Sequence, residues 1–208
     1  LDPSDKKLKP LLATDLAEVS ADGLRFTYQI KAEATWPDGA PLTAADFAFS
    51  AKAIMFPLTN AVTRRAYLST LQDIQLYPED PKKLTIICNK PYHYNPYFGG
   101  IIYVLDRRFY DPDDVLGPYT LSELIENNAL QEDEKLLAWA NEFNDPKYGQ
   151  DPQNLRNGSG PYQVSEWVQG ERIVFTRNEN YWGKNEQRSP YQQFPPEISF
   201  ASSQTIRL

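Results

Sequence analysis

The 208-residue sequence predicts a mixed α/β fold, on three observations. Leu24, Phe26, Tyr28 and Ile30 alternate with Arg25, Thr27, Gln29 and Lys31, the period-two pattern of a half-buried strand. Phe47, Ala51 and Ile54 recur at helical spacing behind Thr43, which marks an amphipathic helix over 44–55. Leu84–Cys88 is dominated by β-branched and apolar residues and reads as a strand paired with Ile74–Tyr77 in a hairpin.

The elements follow in order. Residues 1–22 are polar and irregular, with Leu11, Leu12, Leu16, Ala17 and Val19 as a short buried segment. Asp22-Gly23 turns the chain into the first clear strand. Trp36–Pro41 is a turn cluster, because proline fixes φ and Gly39 permits a positive one. Thr43 caps the helix that follows, Asp46 stands where a reciprocal capping side chain belongs, and Pro57 ends the helix. Residues 60–72 form a short helix or turn, and Pro78–Pro81 closes the hairpin.

Past the hairpin the pattern is less regular. Lys90–Phe98 begins as a loop, and the apolar run Ile101–Leu105 reads as a buried strand. Residues 111–119 are loop, and 120–143 give one or two helices with a break at Asn127-Asn128. Seven acids against Lys135 between residues 122 and 145 read as a solvated helix face. The polar stretch 144–160 is the best candidate for a domain boundary. Short strands at Tyr162–Val164, Ile173–Phe175 and Glu197–Phe200 follow, with Gly170 as a turn and 185–196 as loop.

Composition narrows the function classes. Hydrophobic residues at 41% and aromatics at 13% exclude an intrinsically disordered chain. A single Cys excludes an internal disulfide and a cysteine-based zinc site, and a single His excludes a multi-histidine metal site. A net charge of −7 makes nucleic acid a poor partner. No apolar run reaches the ~20 residues of a membrane helix, and the opening residues do not read as a signal peptide.

Three stretches carry a resemblance. Leu12–Glu18 with Ala21–Ile30 resembles the "LAE…DGLTYTFKLR" segment of family 5 extracellular solute-binding proteins, the oligopeptide- and dipeptide-binding components of ABC importers. Trp36–Phe47 is similar to their "WHDGTPLTAEDVVFS" motif, and Gly158–Val164 with Arg177–Gly183 to their "GTGPYKV…RNPDYWG" motif. The motifs stand in the family order over most of the chain, apart from an insertion around 111–150. Their physics is structural first: Asp38-Gly39 turns, Thr43 caps, Gly158 and Gly160 admit a strand, and Asn178 with Tyr181-Trp182 locks a loop.

The resemblance implies a periplasmic-binding-protein-like fold of type II, cluster C. Residues 1–152 would be its small additional N-terminal domain and 153–208 the start of the returning lobe 1 segment. The chain would then be a fragment of a longer, monomeric protein on the periplasmic or extracellular face of the membrane, with any lipidated Cys upstream. It implies no enzyme, no cofactor and no metal, but a peptide or other small solute and ABC permease subunits as partners. Nickel complexes, haem and oligosaccharides are solutes of other members. The segment around Arg64 and Tyr67 is the expected solute contact: tyrosine combines an apolar body with a polar tip, and Arg64 can pair with a carboxylate. Arg64-Arg65 departs from the family's tyrosine-rich pattern there.

Rival readings use other residues. Asp111, Asp113 and Asp114, or His93 with Cys88, would serve an enzyme. Cys88 in an apolar strand reads better as a buried inert thiol, and His93 between two tyrosines as a packing or exposed residue. A free-standing interaction module would use the acidic 122–145 helices.

Overall fold

Alternation in the segment after Gly23 becomes the strand β2 (Arg25–Gln29), preceded by the two-residue strand β1 (Glu18–Val19). Gly23 takes φ +71°, the left-handed conformation that the turn between them requires. The hairpin β3 (Leu71–Leu76) and β4 (Lys83–Cys88) joins them in one antiparallel sheet ordered β1-β2-β4-β3. β4 is an inner strand, and Leu84, Thr85, Ile86 and Cys88 are all buried. Burial on both faces explains its near-continuous apolar sequence, whereas β2 alternates. The computed structural model describes residues 7–151, 154–185 and 195–201.

The helix α1 (Ala44–Met55) has the predicted bounds, but it is not amphipathic in its setting. Ten of its twelve residues are buried, among them Phe47, Phe49, Ser50 and Ile54. It lies between β3 and the helices α5 (Leu121–Glu126) and α6 (Glu134–Phe143), and its five alanines let these neighbours approach. The Asp46 carboxylate accepts from the Thr43 backbone N–H at 2.8 Å, so aspartate fills the capping role. Phe49, Ala53, Phe56, Leu116, Leu124, Leu136, Trp139 and Ala140 form the core beside it.

Three expectations need correction. Leu16 and Val19 are exposed, so residues 11–19 do not form a buried segment; Ala13 bridges to Ile30, and Glu18 and Val19 pair with β2 at the sheet edge. Ile101–Leu105 is not a strand. A 3-10 turn at Asn95–Tyr97 leads into the short helix α3 (Phe98–Ile101), Ile102 is buried, and Tyr103 stands out into solvent. Proline in the opening turn starts a helical path, and a short apolar run cannot by itself distinguish strand from helix. The 144–160 stretch is not all loop, since α7 (Lys147–Gln150) and a 3-10 turn at 154–157 lie in it. The short helices α2 (Val62–Tyr67) and α4 (Arg107–Tyr110) complete the α-helices of the described residues, and a further 3-10 turn lies at Asn128–Glu132.

The chain divides into two compact units, one of residues 1–34 with 42–144 and one of 35–41 with 145–208. In the second, β5 (Tyr162–Val168), β6 (Arg172–Arg177) and β7 (Glu197–Ala201) form an antiparallel sheet in that order. Asn178 is buried; its amide donates to the Gly160 carbonyl at 3.1 Å, and its oxygen accepts from the Asn180 N–H at 3.0 Å. The Trp182 indole donates to the Ser159 carbonyl at 3.2 Å. The expected lock of this loop onto its neighbours is thus built from hydrogen bonds. Asn180 also reaches the Pro37 carbonyl at 3.0 Å, which ties the 36–41 turn into this unit. The 185–196 loop expectation falls mostly on 186–194, outside the described residues.

Candidate functional site

Two adjacent arginines on α2 have opposite surroundings. The Arg65 Nη1 donates to the carbonyls of Ile54 at 3.1 Å, Phe56 at 2.9 Å and Thr59 at 3.0 Å, and to the Thr59 hydroxyl at 3.0 Å. Those carbonyls belong to the end of α1 and the turn after it, where backbone acceptors lack helical partners. Burial draws the Arg65 pKa below the usual guanidinium range, and the cation still serves as a cap. Asn144 at the end of α6 braces the same turn, accepting from the Asn60 N–H at 2.8 Å and donating to the Leu58 carbonyl at 2.9 Å. α2 is therefore pinned from beneath.

Arg64 points the other way. Among the described residues it has no acidic partner, and its guanidinium lies over the Tyr103 ring with 4.9 Å to the centroid. Beside it opens a cavity of about 510 Å³. Ala53 and Ile54 of α1, with Leu105 and Phe143, supply apolar walls; Asn60–Arg64 and Tyr103 also line it. Phe143 is fixed by stacking on Trp139 at 4.9 Å and 20° between planes.

Tyr67 does not line that cavity. It is half exposed and meets Tyr94 edge-on at 6.1 Å, where a cluster of exposed rings begins. Tyr94 contacts Tyr97 at 6.4 Å, His93 at 4.1 Å and Tyr92 at 5.4 Å. The two sequence-selected residues thus share one short helix but face different surroundings: Arg64 a cavity rim, Tyr67 an aromatic shelf. Sequence reasoning missed Tyr103, which it placed inside a buried strand, and it read the 92–97 tyrosines only as surroundings of His93. Tyrosines interleaved with Asn95-Pro96 in a turn were the available signal.

The rival residues have structural work. Asp111 is buried and accepts from the Val115 and Leu116 N–H groups at 2.8 and 3.0 Å. Burial raises its pKa, and these two bonds oppose the rise. Burial pushes the Cys88 thiol up to about 11, so it is not a nucleophile near neutral pH. In the acidic stretch, Glu123 completes a capping box with Thr120, Asp133 accepts from the first N–H groups of α6, and Asp145 accepts from Lys147 N–H. No group of three or more His, Cys, Asp or Glu among the described residues could hold a metal ion. No helix among them is long and apolar enough to cross a membrane.

Comparisons with known proteins bear on the family and the fold. The family model for bacterial extracellular solute-binding proteins, family 5 middle, matches residues 7–192. The periplasmic oligopeptide-binding protein OppA of Haemophilus influenzae is 26% identical over 193 residues, which is 88% of this chain and 30% of that protein. An oligopeptide-binding protein from Thermus thermophilus, solved with a pentapeptide, superposes with TM-score 0.63 at 23% identity, over 95% of this chain and 34% of that one. NikZ from Campylobacter jejuni, solved with Ni(L-His), gives TM-score 0.62 at 22% identity, over 94% of this chain and 31% of that one. The mixed α/β fold is thus that of periplasmic binding proteins of type II. The chain spans between 26% and 30% of the length of the curated relatives it matches.

Proposed function

This chain belongs to the bacterial extracellular solute-binding proteins of family 5, and from that premise we propose that it supplies one wall of a peptide-binding cleft. The whole protein would act outside the cytoplasm as the receptor of an ABC importer. It would close two lobes around an oligopeptide or dipeptide and present it to the permease subunits. No bond is made or broken in such a cycle; the solute shifts a hinge equilibrium by its differential affinity for the closed state. In this reading, residues 1–152 are the small additional domain and 153–208 the returning part of the first lobe.

The observation that carries the reading is the pair Arg64 and Tyr67. Both are exposed on a helix whose neighbour Arg65 is consumed in holding it in place. A rigidly mounted cation and an amphipathic ring suit a peptide: the cation pairs with carboxylates, and tyrosine covers apolar side chains at small entropic cost. The relatives named for oligopeptide and dipeptide binding favour the same solute class.

The test is calorimetric titration of the full-length protein with a mixture of di- to pentapeptides. Binding is expected, and the double variant R64A/Y67A should weaken it at least about tenfold, or ~1.4 kcal/mol. Full affinity in that variant would remove these residues from the cleft, and no heat with any peptide would end the peptide reading.

A further inference from the structure

The cavity beside α2 has a composition that selects a ligand. Ala53, Ile54, Leu105 and Phe143 are apolar, and among the described residues Arg64 is the single charged one lining it and no acid does so. Its volume of about 510 Å³ falls within the ~300–1,000 Å³ of ligand pockets. A small inorganic anion would leave the apolar walls wet, and a purely apolar ligand would not use the cation. The chain carries 28 acids against 21 bases, yet Arg64 has no acidic partner among the described residues. The guanidinium carbon lies over the Tyr103 ring, 4.9 Å from its centroid, and a guanidinium held against an aromatic face keeps the N–H donors of its plane for an anion. That edge fits a carboxylate with two parallel hydrogen bonds.

We propose that this cavity takes the apolar side chain of a peptide's C-terminal residue while the free α-carboxylate of that residue pairs with Arg64 at the rim. The solute class is then peptides ending in a large hydrophobic residue, an inference that rests on the solute-binding reading above. The geometry favours an α-carboxylate over an Asp or Glu side chain. In a terminal leucine or phenylalanine, carboxylate and apolar group leave the same carbon, so one can stay at the rim while the other enters. An acidic side chain would carry its charge into apolar walls, an unfavourable transfer.

The experiment uses the full-length protein with two small probes, N-acetyl-leucine and its C-terminal amide, and with the tripeptide Ala-Ala-Leu. Methyl NMR shifts of Ile54 and Leu105 report cavity occupancy, and calorimetry reports tripeptide affinity. The acid is expected to shift both methyls and the amide to bind about tenfold more weakly. R64Q should abolish that difference without changing the melting temperature. If the tripeptide binds but acid and amide are equal, or R64Q changes nothing, the inference is overturned while the peptide reading stands. If N-acetyl-leucine binds and no peptide does, the carboxylate site stands and the peptide reading falls. If neither binds, both fall.

Discussion

Replacing Arg65 tests whether the two arginines of α2 divide their labour as described. The Arg65 Nη1 has four acceptors at 2.9–3.1 Å, but its two hydrogens cannot serve four at full strength. Two charge-assisted bonds, each ~1.5–3 kcal/mol, set the upper limit. The site is half-buried, so water reaches some of the released carbonyls, and about 2–3 kcal/mol is the expected loss for Arg65→Ala. In a domain of this size each kcal/mol moves the melting temperature by ~2–4 °C, giving a fall of about 5–10 °C. Arg65→Lys keeps the charge but not the fork of donors, and should recover only part of this. Arg64→Ala removes an exposed side chain with no backbone partner among the described residues and should melt within about 2 °C of the parent. Thermal unfolding followed by circular dichroism reads all three. If Arg65→Ala melts with the parent, or Arg64→Ala falls as far, the assignment of Arg65 as scaffold and Arg64 as free contact is refuted.

Three further outcomes follow from the same structure. Cys88 is 2% exposed and its thiol is pushed up to about 11 by burial, so Ellman's reagent at pH 8 should label it only as fast as the chain unfolds. Because the folded pKa lies above the unfolded value of 9.0, this thiol's contribution to stability is complete below pH 9 and is lost as pH rises towards 11; urea midpoints across that range check the sign. Asn178→Ala strips the Gly160 carbonyl and the Asn180 N–H of a shared, buried partner, and should cost about 1–3 kcal/mol in urea unfolding. Gly99→Ala would set a Cβ 2.8 Å from the tip of the Tyr28 ring, and the overpacking should outweigh alanine's helical advantage by about 1–3 kcal/mol in the same measurement.

The readable parts of the sequence are those where local and tertiary demands coincide. β2 shows its two faces by alternation because one face is buried, and α1 is bounded by Thr43 and Pro57, whose backbone effects act on the spot. The sequence did not reveal that α1 is enclosed on nearly all sides. Its alanines score as neutral in a periodicity test, and only the packing of β3, α5 and α6 around them turns small size into burial. Ile101–Leu105 misleads for the opposite reason. Five residues are too few to fix a period, and the turn begun at Asn95-Pro96 decided the path.

Arg64 and Arg65 carry the same lesson into the site. As letters they are one basic dipeptide, and neither propensity nor charge pattern separates them. What separates them is about 100° of helical rotation: one side chain is turned back over the end of α1, where unpaired carbonyls collect, and the other is turned towards Tyr103. Tyr103 is itself a consequence of the misread run, since a strand there would have buried the ring that now supports the guanidinium. The cavity wall at Phe143 depends on α6, far along the chain from α2, ending where Asn144 can brace the turn at Leu58 and Asn60. A site assembled from three separated segments has no local signature. Its one component singled out from the sequence, Arg64, was expected from the resemblance to the family and not from any local pattern, and only the fold separates it from Arg65.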